Sequence, residues 1–274
     1  AAERLAAAGE AEPQREARLL FAAIAGRPPA LAEPDAAAAP ELAARLAAAL
    51  ERRAAGESLG HILGRREFWS LEFGLNAATL EPRPDSETLV AALLDLLQPA
   101  EAPWRLLDLG TGSGCLLLAL LSERPAAWGL GIDRAPAAAA QAVANAVRLG
   151  LGARAAFLAG DWAAALAAEG SFDAVLSNPP YVTSAACARL PAAVRRNDPL
   201  LALDGGADGL AAYRAVLPQA RRLLRPGGWV ALEIGSDQVR AVGALVDAAG
   251  FEDRRLERDL AGRARVVLAR RPGS

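Results

Sequence analysis

Apolar positions in the first 64 residues recur at helical spacing. Leu19, Leu20 and Ile24 form a stripe that stops at Gly26 and the Pro28-Pro29 pair. Leu42, Leu46 and Leu50 then recur four apart behind Pro40, where a first-turn proline is tolerated. Gly56 is the natural stop, and the stretch from Glu57 to Gly64 breaks the helical period. Between Phe68 and Leu80 the spacing shortens: Phe68, Leu71, Phe73 and Leu75 alternate enough to predict a hairpin, and the domain boundary falls in or near it. From Pro84 short apolar runs alternate with helical patterns. Asp85 stands where it can cap a helix reaching about Leu97, with Glu87 and Thr88 in its first turn. Strands are predicted over 104–109, 127–133, 153–158, 172–177, 229–234, 251–257 and 264–269, with helices over 113–123, 136–149, 162–168 and 210–224 between the first five. Such alternation implies crossover units and a mostly parallel sheet. The last two strands are too close for a long crossover and should pair antiparallel at one edge. The expected architecture is α/β, a seven-stranded sheet preceded by a small helical domain over 1–66 and a hairpin linker over 67–83.

Composition narrows the class. The 274 residues are 53% hydrophobic, ample for a core although much of it is alanine, and the net charge is -2 with every one of the 30 cationic residues an arginine. No domain-wide basic field is available to grip phosphate backbones, so no direct nucleic-acid partner is expected. Cys115 and Cys187 are too few for a disulfide scaffold or a cysteine zinc site, and read as reduced thiols; no metal site is expected. No uninterrupted apolar run approaches the roughly 20 residues that span a bilayer. The alanine-rich start, with Glu3, Arg4, Glu10 and Glu12, carries no secretory pattern, and a cytoplasmic location is expected. The absence of methionine points to processing or trimming.

Two stretches carry chemistry. In the first, Leu106-Leu107-Asp108-Leu109-Gly110-Thr111-Gly112-Ser113-Gly114, a strand runs into a glycine-rich turn and then a helix. The glycines permit positive φ and close approach of a ligand, and the helix start presents free NH groups. Asp133, 19 residues after Gly114 at the end of the next strand, can bind the two hydroxyls of a ribose. A dinucleotide fingerprint wants G-x-G-x-x-G, whereas this run is G-x-G-x-G behind the acidic Asp108. A carboxylate there suits a cationic or ammonium-bearing ligand better than a diphosphate, which favours S-adenosylmethionine over a nicotinamide cofactor. Asp161 and Trp162, after the third strand, can flank an adenine, though Trp162 also fits core packing. Cys115 and the single histidine, His61, read as structural.

The second stretch is Ser177-Asn178-Pro179-Pro180-Tyr181, after the apolar run at 172–176. Each proline fixes its own φ and biases the residue before it toward extended geometry, so the carbonyls of Asn178 and Pro179 are held in set directions. Asn178 adds one acceptor and one NH2 donor. Rigid acceptors beside a ring suit a planar, NH2-bearing group, either an amide or an exocyclic base amine. Taken alone, the same four residues also read as a turn.

Asn178-Pro179-Pro180-Tyr181 together with the glycine loop resembles the class I methyltransferases that act on amide or exocyclic amino nitrogens. Four further stretches are similar to the HemK-type protein-glutamine methyltransferases: Ile62-Leu63-Gly64 with Glu67-Phe68; Pro82-Arg83-Pro84-Asp85-Ser86-Glu87; the run from Ala202 to Leu210; and that from Asp259 to Arg265. Asp85-Ser86-Glu87 stands where the family usually has Glu-Thr-Glu, Asp198-Pro199 where Glu-Pro is common, and His61 replaces a more usual tyrosine. The resemblance implies a Rossmann-like catalytic domain over 84–274 and a substrate-docking role for the N-terminal helices. It also implies methylation of the glutamine in the Gly-Gly-Gln motif of peptide chain release factors by a monomer. On that resemblance Gly110, Thr111, Gly112, Ser113, Gly114, Asp133, Asp161, Trp162 and Asn178 hold S-adenosylmethionine. Asn178, Pro179 and Tyr181 form the catalytic set, and these with Pro180, Arg83 and Glu87 bind substrate. The rivals are a methyltransferase acting on adenine N6 or guanine N2, an interaction protein with a spent catalytic scaffold, and a nicotinamide oxidoreductase.

Overall fold

In a computed structural model of the chain, residues 1–10, 12–26, 40–167, 169–190 and 197–273 are described. The chain divides into two units, one of Ala1–Arg66 with Leu190–Asn197 and one of Glu67–Arg189 with Asp198–Ser274. In the first, helices α1 (Ala2–Ala7), α2 (Pro13–Ala25), α3 (Pro40–Ala54) and α4 (Leu59–Leu63) bury Leu5, Leu20 and Leu50 against one another. Ile24 and Leu46 of the predicted stripes pack at the edge of that cluster. Gly26 ends α2 in the left-handed region, φ 67°; the Pro28-Pro29 break lies outside the described residues. The stretch after Gly56, expected to interrupt the helices, contains α4: Ser58 Oγ accepts from the His61 amide at 3.2 Å, and Gly64 closes the turn.

The second unit opens within β1 (Arg65–Phe68), which a tight turn joins to β2 (Leu71–Gly74). Trp69 and Ser70 both take positive φ, 54° and 57°, the mark of a type I′ two-residue turn. The predicted hairpin thus forms earlier in the chain than 68–80, and residues 75–80 are not strand. Asn145 ties β2 down, accepting from Gly74 N at 2.8 Å and donating to Gly74 O and Ser113 O. Asp85 does not cap the next helix: a 3₁₀ turn, Pro84–Ser86, precedes α5 (Glu87–Leu96), and the Asp85 carboxylate is bound by Arg263 and Arg265 at 2.9 and 2.8 Å.

The remaining strands are β3 (Arg105–Leu109), β4 (Trp128–Asp133), β5 (Ala155–Ala159), β6 (Phe172–Ser177), β7 (Leu224–Glu233), β8 (Glu252–Arg258) and β9 (Ala264–Arg270). They form one seven-stranded sheet in the order β5-β4-β3-β6-β7-β9-β8, parallel except where β9 runs antiparallel to both β7 and β8. The crossovers are α6 (Cys115–Glu123), α7 (Pro136–Arg148), α8 (Ser184–Cys187) with α9 (Leu200–Leu203) and α10 (Ala211–Leu223), and α11 (Val239–Ala248). One predicted helix is absent: residues 161–165 are bends and turns, with Trp162 at φ 52°, and Ala168 lies outside the described residues.

Both sheet faces are covered. Leu106, Leu176, Val266 and Leu268 face α5 and α6, whose Leu89, Leu93, Leu117 and Leu120 are fully buried. Leu107, Val175, Val230 and Leu232 face Tyr213, Val216, Val242 and Val246 of α10 and α11. α6 is apolar on every side and buried from Leu116 to Leu121, with only Ser122 and Glu123 at its end exposed, as befits a helix between sheet and covering layer. Among the described residues no helix is long and apolar enough to cross a membrane.

Candidate active site

Strand register assembles the site. Leu109 pairs with Ile132, Asp108 with Leu176, and Ser177 with Leu232. One step beyond the first and last of these pairs, and two beyond the middle one, Asp133, Gly110, Asn178 and Glu233 come level on four adjacent strands, β4-β3-β6-β7. Each sits at the carboxyl end, the side on which open α/β sheets bind ligands.

The glycine turn forms one half. Gly110 and Gly112 take φ of 78° and 56°; a Cβ on Gly112 would meet nothing within 4 Å, and one on Gly110 would lie 3.4 Å from the Trp162 ring. The backbone is thus bare where a ligand approaches, with an indole face beside it. Gly114 serves differently: it precedes α6, and a Cβ there would press on Ala142, Leu118 and Phe157 at 3.1–3.3 Å. Asp133 accepts from the Gly112 amide through Oδ2 and the Ala135 amide through Oδ1, both at 2.8 Å, which fixes its carboxylate at the mouth of the turn. Asp108 is wholly buried beneath the turn. It accepts from Thr111 Oγ1 at 2.7 Å, its Oδ1 has no partner among the described residues, and burial raises its pKa to about 7. Burial also pushes the Cys115 thiol up to about 12, so it offers no nucleophile at neutral pH.

Asn178-Pro179-Pro180-Tyr181 forms the other half. Ser177 Oγ donates to Leu109 O at 2.6 Å, locking the end of β6 to β3, and Asn178 Nδ2 donates to Ser86 Oγ at 3.3 Å. The Asp204-Gly205-Gly206 segment runs beneath: Gly205 N donates to Val182 O at 2.8 Å and Val182 N to Leu203 O at 3.0 Å. Gln238 Nε2 bridges the carbonyls of Tyr181 and Gly209, 3.1 Å from each. A Cβ on Gly205 would fall 2.7 Å from Pro180 O, so only glycine admits this approach. Tyr181 is turned inward: its pKa is pushed up to about 12, chiefly by burial and further by the charge of Glu233.

The two halves open on one cavity of about 300 Å³. Gly110, Thr111, Gly112, Ser113, Asp133, Asp161, Trp162, Asn178, Pro180 and Arg83 line it. Gly114, Pro179, Tyr181 and Glu87 are not in its wall. Glu87 accepts from the Trp69 amide at 2.9 Å, and Arg83 is ion-paired with Asp198 at 2.5 Å. Sequence reasoning missed Leu80, Pro82, Ser86, Leu201 and Ala202 in the wall. Pro82, Ser86 and Ala202 had a signal, lying in stretches already singled out; Leu80 and Leu201 had none. His61, beside Ser58 at 2.9 Å, belongs to the helical unit.

The fit to a cationic nucleoside is physical: a bare, positive-φ turn beside the Trp162 indole, a fixed carboxylate at the ribose position, and the Asp161 carboxylate in the wall for positive charge. Sheet order and site together define a class I S-adenosylmethionine-dependent methyltransferase. The fold is shared with the ribosomal protein L11 methylase of Lactobacillus delbrueckii subsp. bulgaricus, at a TM-score of 0.52 and 19% identity over 70% of this chain and 83% of that one. Family models describe residues 101–249 as a methyltransferase domain and residues 1–64 as a PrmC N-terminal domain. The release factor glutamine methyltransferase of Rhodospirillum rubrum is 49% identical over 98% of this chain and 82% of its own. That of Cereibacter sphaeroides is 47% identical over 99% and 96%. The chain belongs to the release factor glutamine methyltransferase family.

Proposed function

We propose that the protein methylates the side-chain amide nitrogen (N5) of the glutamine in the Gly-Gly-Gln motif of peptide chain release factors. The observation that carries this reading is that Asn178, on a backbone stiffened by two prolines, opens on the same cavity as the glycine turn and Asp133.

When bound, S-adenosylmethionine supplies an electrophilic methyl group on a sulfonium. Asp133 binds the ribose hydroxyls, the glycine turn receives the amino-acid portion, and Trp162 with Asp161 borders the adenine. The substrate amide is a poor nucleophile because its lone pair is delocalised into the carbonyl. Asn178 Oδ1 and the Pro179 carbonyl accept from its NH2, orient the nitrogen in line for transfer and favour the positive charge that develops there. The amide nitrogen that accepts the methyl group would give up one proton to bulk water as the product leaves. Positioning of this kind supplies on the order of 7–11 kcal/mol without a general base. Pro180 and Tyr181 close the acceptor side against water, and Arg83 and Glu87 support the substrate face. The unit over 1–66 docks the release factor, the segment over 67–83 links it to catalysis, and the protein acts as a cytoplasmic monomer without nucleic acid or membrane.

Incubation with labelled S-adenosylmethionine tests the substrate class, offering in parallel a release factor, one with the Gly-Gly-Gln glutamine replaced, total RNA and total DNA. Label on the unaltered factor alone is the expected outcome; label on nucleic acid overturns the reading in favour of a base amine.

A further inference from the structure

Beside Asn178 stands a buried acid for which the mechanism above has no use. Glu233 ends β7, level with Asn178 in the strand register, and is 2% exposed. Its Oε2 has no partner among the described residues, while the neighbouring Ser86 and Tyr181 hydroxyls act on the carboxylate and pull its pKa down. Ser86 in turn receives the Asn178 Nδ2 at 3.3 Å. A buried carboxylate costs free energy to desolvate, so one placed one strand away from the reacting amide calls for a role.

We propose that Ser86 and Glu233 are positioning residues for methyl transfer: together they fix the Asn178 amide with Oδ1 turned toward the cavity. The inference rests on the reading of Asn178 as the amide acceptor. An ionised carboxylate can only accept, so in the proposed arrangement the Ser86 hydroxyl turns its single proton toward Glu233. Ser86 Oγ is left with lone pairs alone toward Asn178, and only the NH2 end of that amide can face it. The carbonyl end is thereby committed to the substrate, with no choice between two near-isosteric orientations. When Glu233 is protonated it can donate to Ser86, the hydroxyl is free to turn to Asn178 Oδ1, and the commitment is lost.

The surroundings set where that happens. Burial, with a smaller push from Asp85 of the 3₁₀ turn, raises the Glu233 pKa against the pull of the Ser86 hydroxyl, Arg265 of β9 and the Tyr181 hydroxyl, leaving it at about 7. Cys115 at the start of α6 and Tyr213 of α10 also feel its charge, with Asp237 near Tyr213, but neither ionises near neutrality because burial pushes both upward. Arg265 is itself shared with Asp85 and Asp259, at 2.8 and 3.2 Å, and Arg263 binds the same two acids at 2.9 Å. The cation that faces Glu233 is thus divided among several acids. In the proposed state the acceptor works above the Glu233 pKa, so the rate rises with pH through about 7 and then levels.

Two readouts test this on the full chain. In ¹⁵N-labelled protein free of substrate, the Asn178 side-chain NH2 resonance, assigned by its loss in Asn178→Ala, is followed from acid to alkaline pH. It should shift through about 7 in the parent and stay flat in Glu233→Gln and Ser86→Ala. In methyl transfer to a release factor, both variants should lose about tenfold to a hundredfold in kcat, the scale of removing a partner that orients a working side chain. Their KM values and cofactor affinities should be kept, and Ser86→Thr, which retains the hydroxyl, should recover most of the loss. An Asn178 resonance that titrates unchanged in Glu233→Gln overturns the proposal, as does parental kcat in that variant. A parent that shows the titration yet leaves release factors unmethylated sinks the substrate reading while the Asn178 orientation stands.

Discussion

Gly209 is the position where the site's geometry depends most sharply on one missing atom. Its φ is 73°, and a Cβ there would stand 2.5 Å from Tyr181 O and 2.8 Å from Gln238 Nε2. Gly209→Ala therefore incurs two penalties. Left-handed backbone costs an L-residue about 1–2 kcal/mol, and forcing a methyl group against backbone costs about 1–3 kcal/mol. Gly262, in the β8–β9 turn, shares the first without the second, because its φ is 78° and a Cβ would meet nothing within 4 Å. Comparing the two alanine variants isolates the clash: Gly209→Ala should be less stable by about 1–3 kcal/mol, roughly 2–12 °C in melting temperature for a unit of this size. Gln238 can swing away, but the backbone contact is relieved only by parting residue 209 from the Tyr181 carbonyl, which disturbs the support of Asn178-Pro179-Pro180-Tyr181, so Gly209→Ala should also lose methyl transfer that Gly262→Ala keeps. Calorimetric melts beside initial rates supply both readings. Two variants that melt together and turn over alike would refute the close approach of residues 205–209 to the acceptor motif.

Other expectations follow from the same geometry. Asn178→Ala should slow methylation about a hundredfold or more, the scale of losing one preorganised polar contact, with the fold intact by circular dichroism; parental turnover would remove Asn178 from the reaction. Asp133→Ala should weaken cofactor binding in calorimetry far more than release-factor binding, and unchanged cofactor affinity would contradict its ribose role. Asp108, raised from 3.8 to about 7, stabilises the cofactor-free fold fully only below its unfolded pKa and loses that contribution as pH rises through the folded one. Between pH of about 4 and 7 the parent should therefore lose about 2–4 kcal/mol of stability that Asp108→Asn does not. Urea melts of both proteins across that range read the difference, and parallel pH curves would show the carboxylate ionised in place.

The sheet was legible because strands buried on both faces read as unbroken apolar runs. Leu106-Leu107 and Ala174-Val175-Leu176 are such runs, each followed by residues that end a strand. The glycine turn and the Asn-Pro-Pro-Tyr stretch were legible because glycine and proline state backbone geometry directly. Elsewhere tertiary contacts overrode local pattern. Alanine-rich 162–168 has helical propensity, but the Trp162 backbone sits at φ 52° with its ring laid against Gly110. Trp69-Ser70 makes a type I′ turn without the asparagine or glycine that announces one. Asp85 resembles a cap, yet its carboxylate is claimed by arginines 178 and 180 residues away. Glu233 carries no local mark at all, since an acid at a strand end reads as surface. Only the pairing of β6 with β7 brings it beside Asn178.

The central claim is that the methyl group ends on an amide nitrogen, and acid hydrolysis of the labelled product tests it most directly. Hydrolysis of an N5-methylated glutamine yields unlabelled glutamate and releases the methyl group as volatile methylamine. The expected result is label recovered as methylamine from the Gly-Gly-Gln peptide of a release factor. Label that stays on a non-volatile amino acid, or that is recovered on a methylated nucleobase, would contradict it.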